Sequence, residues 1–300
     1  MAVGSMCGPA DPARFPRREP PMPARSLPAL LVALTAAVTL ANSANLQADD
    51  EAFRDPPQVI LDPGSEYQRE TRKFQGIPSL ERTDGGVLWA TWYAGPGPGE
   101  DQFNYVVLAR SDDDGATWIE PFLIVDPDGD GPVRAFDPVL WIDPIGRLWL
   151  FWAQAIGHDG TIAGVWTSRT DHPDAATPEW TAPTRLTDGV MMCKPTVLST
   201  GEWVLPASTW RKTDNSARMV ISTDKGDSWQ VRGAAHVPPE MRSFDEHHIV
   251  ERKDGSLWML GRLSKPAIGE SESTDRGETW STVAPGDLPH VSSRFFIRRL

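Results

Sequence analysis

Large apolar residues fall along this chain in short bursts that alternate with polar ones, with the two-residue period of strands. Four bursts begin with a glycine, one variable residue and two large apolar ones. They are Gly86-Val87-Leu88-Trp89, Gly146-Arg147-Leu148-Trp149, Gly201-Glu202-Trp203-Val204 and Gly255-Ser256-Leu257-Trp258. The glycines recur roughly every 55 to 60 residues, the period of a four-stranded unit with generous loops. The first unit predicts strands over 77–82, 87–93, 105–110 and 119–125. Helical periodicity is scarce beyond the N-terminal segment.

A second pattern, Ser-x-Asp-x-Gly-x-(Thr/Ser)-Trp, joins the last two strands of three units. It reads Ser111, Asp113, Gly115, Thr117, Trp118, then Ser222, Asp224, Gly226, Ser228, Trp229, then Ser273, Asp275, Gly277, Thr279, Trp280. Ser and Asp side chains cap backbone amides in such a hairpin, Gly supplies a positive φ, and Trp is expected to fill the hydrophobic seam. In the second unit, residues 167–171 followed by Trp180 read as a degenerate copy with an insertion.

Composition agrees with strands and turns: 13 Trp suit pleated half-buried surfaces, while 25 Gly and 28 Pro punctuate loops. The formal charge of −12 argues against a nucleic-acid partner, which needs concentrated Lys and Arg. It leaves room for an anionic sugar, because a local arginine cluster pairs with a carboxylate at close range whatever the net charge.

Near the N-terminus, Met22 and Arg25 precede an apolar stretch over 27–40, followed by small polar residues and Asp49-Asp50. This is the pattern of a secretory signal peptide, and the stretch is short for a membrane span. Residues 1–48 are therefore expected to be an upstream extension plus export signal, and 53–300 the folded domain. The expected location is secreted or periplasmic. Cys193 is the lone cysteine of that domain, so no internal disulfide is expected; its apolar setting, Met191-Met192-Cys193, suggests a buried structural thiol.

On these two repeats the chain resembles the sialidase (neuraminidase) superfamily, whose Asp-box repeats decorate a six-bladed β-propeller. The resemblance covers residues 74 onward. It implies an all-β fold, and four complete units plus residues 292–300, read as the innermost strand of a fifth, imply a propeller cut short. Residues 53–73 are a candidate outer strand closing the ring onto the last blade.

In such a ring the first positions of each unit's innermost strand converge at the central mouth. Aligning the units brings together Ile77-Pro78, Asp137-Pro138, Lys194-Pro195 and Glu246-His247, with Arg294 from the last unit. Asp137, Lys194, Glu246 and Arg294 thus form a candidate charged ring, with inner-rim ion pairs as the plain alternative.

The resemblance implies exo-sialidase chemistry on a glycan bearing a carboxylate sugar. A tyrosine nucleophile is activated by a Glu, three arginines clamp the carboxylate, and a loop Asp acts as acid and base. Glu246 matches the activating carboxylate and Arg262 a clamp arginine, against a structural salt bridge. Arg294 is the candidate third arginine. Asp101, or Glu100 beside it, is the candidate acid/base in the loop 95–101, against a solvated turn carboxylate. Asp137, Lys194 and His247 are candidate substrate contacts. A metal reading of Glu246-His247-His248 is set aside because adjacent strand histidines point to opposite faces. No cofactor is expected, and oligomeric state is left open.

Two departures stand out. The family's first arginine precedes Ile-Pro on the first inner strand, where this chain has Gly76; Arg69 or Arg72 are the nearest candidates to compensate. The chain's three tyrosines, Tyr67, Tyr93 and Tyr105, all lie early, away from the late units where the family carries its nucleophile. Other hypotheses therefore stay open: a hydrolase or lyase for another uronic-acid glycan, or a non-catalytic carbohydrate-binding propeller.

Overall fold

The computed structural model describes residues 52–297 apart from 130, 159–161 and 210–215. The export signal expected within residues 1–48 lies outside the described residues. Among those described, no helix is long and apolar enough to cross a membrane.

Strands dominate, in four antiparallel sheets, none of which closes on itself. The first contains β1 (Gln58–Ile60), β2 (Phe74–Arg82), β3 (Leu88–Gly95), β4 (Tyr105–Ser111) and β5 (Ile119–Asp126). The second contains β6 (Val133–Ile142), β7 (Leu148–Ile156), β8 (Ile162–Thr170) and β9 (Thr184–Asp188). The third contains β10 (Val190–Met191), β11 (Thr196–Val197), β12 (Trp203–Ser208), β13 (Ser216–Ser222) and β14 (Gln230–His236). The fourth contains β15 (Arg242–Glu251), β16 (Leu257–Leu263), β17 (Ala267–Ser273) and β18 (Ala284–Pro289).

Consecutive strands pair within the second and fourth sheets, as the glycine-led repeat predicts. The segment 53–73 departs from expectation. Its strand β1 adds to the outer edge of the first sheet, with Val59 opposite Val125 on β5. Residues 292–297 run on from β18 without entering a ladder, and 298–300 lie outside the described residues. Phe295 and Phe296 pack instead around His248, with ring centres 5.8 and 5.3 Å from its imidazole.

Each pair of successive sheets shares an apolar cluster. Trp89, Leu108 and Leu123 of the first sheet meet Phe136, Leu150 and Trp152 of the second. Val139, Trp149 and Phe151 then meet Trp203 and Leu205 of the third. Val204, Met219 and Ile221 meet Leu257 and Met259 of the fourth. Trp149 is the centre of one such joint, with Trp203 edge-on at 6.2 Å and Phe151 stacked at 5.7 Å. Its truncation to alanine would cost about 3–5 kcal/mol.

The Asp-box turns have the chemistry their sequence predicts. Ser222 Oγ accepts from Gly226 N at 2.8 Å, while the Asp224 carboxylate accepts from Ser228 N at 2.9 Å and Ser228 Oγ at 2.5 Å. Those bonds to Ser228, and their counterparts from Thr279 to Asp275, hold both carboxyls down at about 2. Gly226 has φ +89°, and a Cβ there would meet a ring carbon of Trp149 at 2.8 Å, so the turn seats directly on the preceding sheet. Trp229 and Trp280 pack against the clusters there. Trp118 does not fill a seam as expected: no sheet among the described residues precedes its own, and it is 38% exposed.

Candidate active site

Three innermost strands carry the same local irregularity. The ladder slips between Gly76 and Ser79 on β2, between Phe136 and Val139 on β6, and between Asp245 and His248 on β15. At each slip a non-glycine residue sits in the left-handed region: Ile77 at φ +49°, Asp137 at +49°, Asp245 at +57° and Glu246 at +45°. Such bulges re-aim side chains and are strained for ordinary residues, so surrounding contacts must hold them. Here Ile77, Asp137 and Glu246 all turn into one cavity of about 270 Å³, lined also by Glu100, Arg134, Phe136, His158, Met192, Phe244 and Arg262.

Glu246 and Arg262 are joined there, Nη1 donating to Oε1 at 2.7 Å. Arg262 comes from β16, and its guanidinium carbon lies 5.1 Å from the Phe244 ring centre. Glu246 Oε2 is buried with no hydrogen-bond partner among the described residues. Burial raises the Glu246 carboxyl, opposed by Arg262 and, more weakly, Arg294. The paired oxygen is thus engaged, and the other is an acceptor without a partner among the described residues.

Asp137 is buried, with no arginine of the described residues in hydrogen-bond contact. Burial pushes its carboxyl up to about 7, against Arg294 and Arg134, with Glu100 and Glu246 adding to the rise. Arg294 donates to the backbone oxygen of Met192, close enough for its charge to act on both Asp137 and Glu246. Tyr93, from β3, donates to Glu100 Oε1 at 2.6 Å; burial, then Asp137 and Glu100, raise its phenol well above the usual range. Among the described residues, no group of three or more His, Cys, Asp or Glu is placed to hold a metal ion.

The family model of the BNR repeat-like domain matches residues 86–297, more than half of the chain. The chain belongs to the BNR repeat-like family. Solved structures agree on the fold. A mutant of the NanB sialidase of Streptococcus pneumoniae superposes with a TM-score of 0.57 at 15% identity, covering 78% of this chain and 54% of that one. The intramolecular trans-sialidase of Ruminococcus gnavus, in complex with oseltamivir carboxylate, gives 0.58 at 18% identity, with 71% of each chain covered. The Trypanosoma rangeli sialidase bound to the inhibitor DANA gives 0.55 at 20%, over 70% of this chain and 38% of that one. The chain thus spans about half the length of the pneumococcal enzyme. No curated protein matches it.

Within this BNR-repeat protein, Glu246, Arg262, Asp137 and Arg294 come together, and three other candidates do not. Lys194 falls in the gap between β10 and β11, where its long side chain reaches across to Glu81 and to Leu80 O at 2.7 Å. It therefore ties the third sheet to the first and lies outside the cavity. His247 does not line the cavity; it is buried, with its Nε2 2.8 Å from Arg218 O. Asp101 turns into its own loop, Oδ1 accepting from Phe103 N at 2.9 Å, and its neighbour Glu100 lines the cavity instead.

Gly76 stands where an arginine was expected, and a side chain there would need two aromatic rings to give by a few tenths of an ångström. A Cβ there would meet Phe74 Cζ at 3.1 Å and Tyr93 Cε1 at 3.4 Å. Arg72 does not compensate, because its guanidinium is committed to Tyr67 O at 2.7 and 2.9 Å and to Glu120 at 2.7 Å. The basic residue that sequence reasoning missed is Arg134, at the head of β6. Its only sequence signal is a polar residue three places before Asp137 in an otherwise apolar strand.

Proposed function

We propose that the protein is an exported glycoside hydrolase of exo-α-sialidase type that removes a terminal carboxylate-bearing sugar from a glycan. The observation that carries this reading is the Glu246–Arg262 pair at 2.7 Å, set in a cavity with Asp137 and beside Arg294. Guanidinium groups bind a sugar carboxylate through charge-assisted, geometrically matched hydrogen bonds. Glu246 Oε2, an acceptor without a partner, takes the proton of the attacking nucleophile. Proton delivery to the leaving oxygen needs a carboxyl still protonated near neutrality, and Asp137 is such a group; Glu100 and Glu246 are the other carboxyls lining the cavity. Export follows from the apolar stretch over 27–40 behind Arg25.

A second reading, a hydrolase or lyase for another uronic-acid glycan, is favoured by Gly76, which lies against Phe74 and Tyr93 where the first inner strand was expected to carry an arginine.

The test is release of a fluorogenic aglycone from an α-sialoside and, in parallel, from a glucuronide. Sialoside turnover lost in Glu246→Gln and Arg262→Ala supports the first reading. Turnover of the uronide alone transfers the substrate to the second. Binding without turnover across a glycan panel sinks hydrolysis altogether.

A further inference from the structure

Arg134 is buried, with 2% of its side chain exposed, yet its charge is met only loosely. Nε donates to Gly157 O at 3.2 Å. Nη1 reaches Glu100 Oε2 and Asn104 Oδ1, both at 3.5 Å, the outer limit of a hydrogen bond. The Glu100 carboxylate is itself 47% exposed and shared with the Tyr93 hydroxyl at 2.6 Å. Asp137 is the other carboxyl acting on Arg134, and burial works against its ionisation. Burying a guanidinium is costly unless close acceptors compensate it. A guanidinium offers five donors in a rigid fork, and these three long contacts leave much of that capacity for a carboxylate arriving from the cavity.

The orientation is fixed as well. The guanidinium carbon of Arg134 stacks 3.9 Å from the centre of the Phe136 ring, and both residues line the cavity with Ile77 and Arg262. Ile77 follows Gly76, and Gly76 pairs in register with Tyr93, whose ring lies 6.4 Å from that of Phe136. Arg134 therefore shares the cavity wall with Ile77, the residue that follows Gly76 on β2.

We infer that Arg134 is a guanidinium that takes the substrate's carboxylate in the cavity it shares with Arg262, in place of an arginine on the first inner strand. This rests on the reading of the cavity as an acidic-sugar site. It makes Arg134 a binding residue for carboxylate sugars, and it makes Glu100 a competitor for the same fork.

The experiment is calorimetric binding, at one pH, of the unsaturated glycal of N-acetylneuraminic acid and of glucuronic acid, each against its methyl ester. Wild type is expected to prefer one acid over its ester. Arg134→Lys, which keeps the charge and loses the fork, should weaken binding of that acid by about tenfold or more and leave the ester unchanged. Glu100→Gln, at a half-exposed position that does not endanger folding, should tighten the acid by removing the competing carboxylate. Equal losses for acid and ester in Arg134→Lys, no change there, or weaker acid binding in Glu100→Gln would overturn the inference. If Arg262→Ala weakens the acid while both of these variants leave it untouched, only the role of Arg134 fails. If wild type does not distinguish acid from ester, the acidic-sugar reading falls and takes this inference with it.

Discussion

Arg242 grips Asp245 with two nitrogens, Nε at 2.9 Å and Nη2 at 2.6 Å, and the residue that follows this buried pair is Glu246. Asp245 and Glu246 are consecutive left-handed residues, a conformation the chain adopts only where contacts impose it. Arg242 Nη2 also donates to Ser216 O at 3.0 Å, so the bulge in β15 is anchored to the third sheet. Removing one partner of a buried pair leaves the other charge uncompensated. Asp245→Ala is therefore expected to lower unfolding free energy by about 3–5 kcal/mol in urea titrations. A loss under about 1 kcal/mol would mean that the bulge is held by other contacts.

The Asp-box turns stabilise the sheets and stand apart from the cavity. Ser222→Ala removes the acceptor of the buried Gly226 amide and should cost about 1 kcal/mol, read as a shifted urea midpoint. Turnover per folded molecule should be unchanged. A selective fall in kcat/KM would contradict the separation of turn and site.

Lys194 permits a cleaner discrimination. As a tie between Glu81 and the third sheet, it should behave as a partly exposed ion pair, so Lys194→Ala should lose about 1 kcal/mol or less. Substrate KM should not move. A rise of tenfold or more in KM would restore Lys194 to the substrate contacts.

Cys193 is fully buried, its Sγ 3.6 Å from Glu246 O, and burial pushes its thiol far above the ordinary range. The thiolate is the reactive form, so Cys193 should resist iodoacetamide in the native protein and become labelled only on unfolding. Rapid labelling of the Cys193 peptide in the native state, read by mass spectrometry, would refute this.

The repeat made the sheet architecture legible because its signals are local. Alternation, the glycine ahead of Leu88, Leu148 or Leu257, and the Ser-Asp-Gly turn each depend on a few neighbouring residues. Glu246 and Arg262 were legible through their match to a known family's motif. What stayed hidden depends on rare backbone or on distant partners. Nothing in Phe136-Asp137-Pro138 announces a left-handed Asp137, and Lys194 shares the same residue-before-Pro position yet turns to Glu81 across the sheets. Arg134 was missed because a polar residue at a strand start is commonplace, and only its loose pairing within the cavity marks it out.

Asp137 should leave a signature in both stability and rate. Arg294, Arg134, Glu100 and Glu246 act on it, and burial outweighs the two arginines, so the native state keeps a proton that the unfolded chain has released between the ordinary carboxylate range and about 7. With more protons bound in the native than the unfolded state, stability falls as pH rises across that window, by at most about 1.4 kcal/mol per pH unit. Asp137→Asn cannot titrate, so its urea stability relative to wild type should improve steadily from pH 4.5 to pH 7 and level off above. The depressed carboxyls of the Asp boxes are common to both proteins and cancel in that difference. In turnover, kcat/KM of wild type should decline above about 7 as the proton donor is lost, and Asp137→Asn should lack that limb. A stability difference independent of pH, or a wild-type limb that survives in Asp137→Asn, would remove Asp137 from the proton-delivery role.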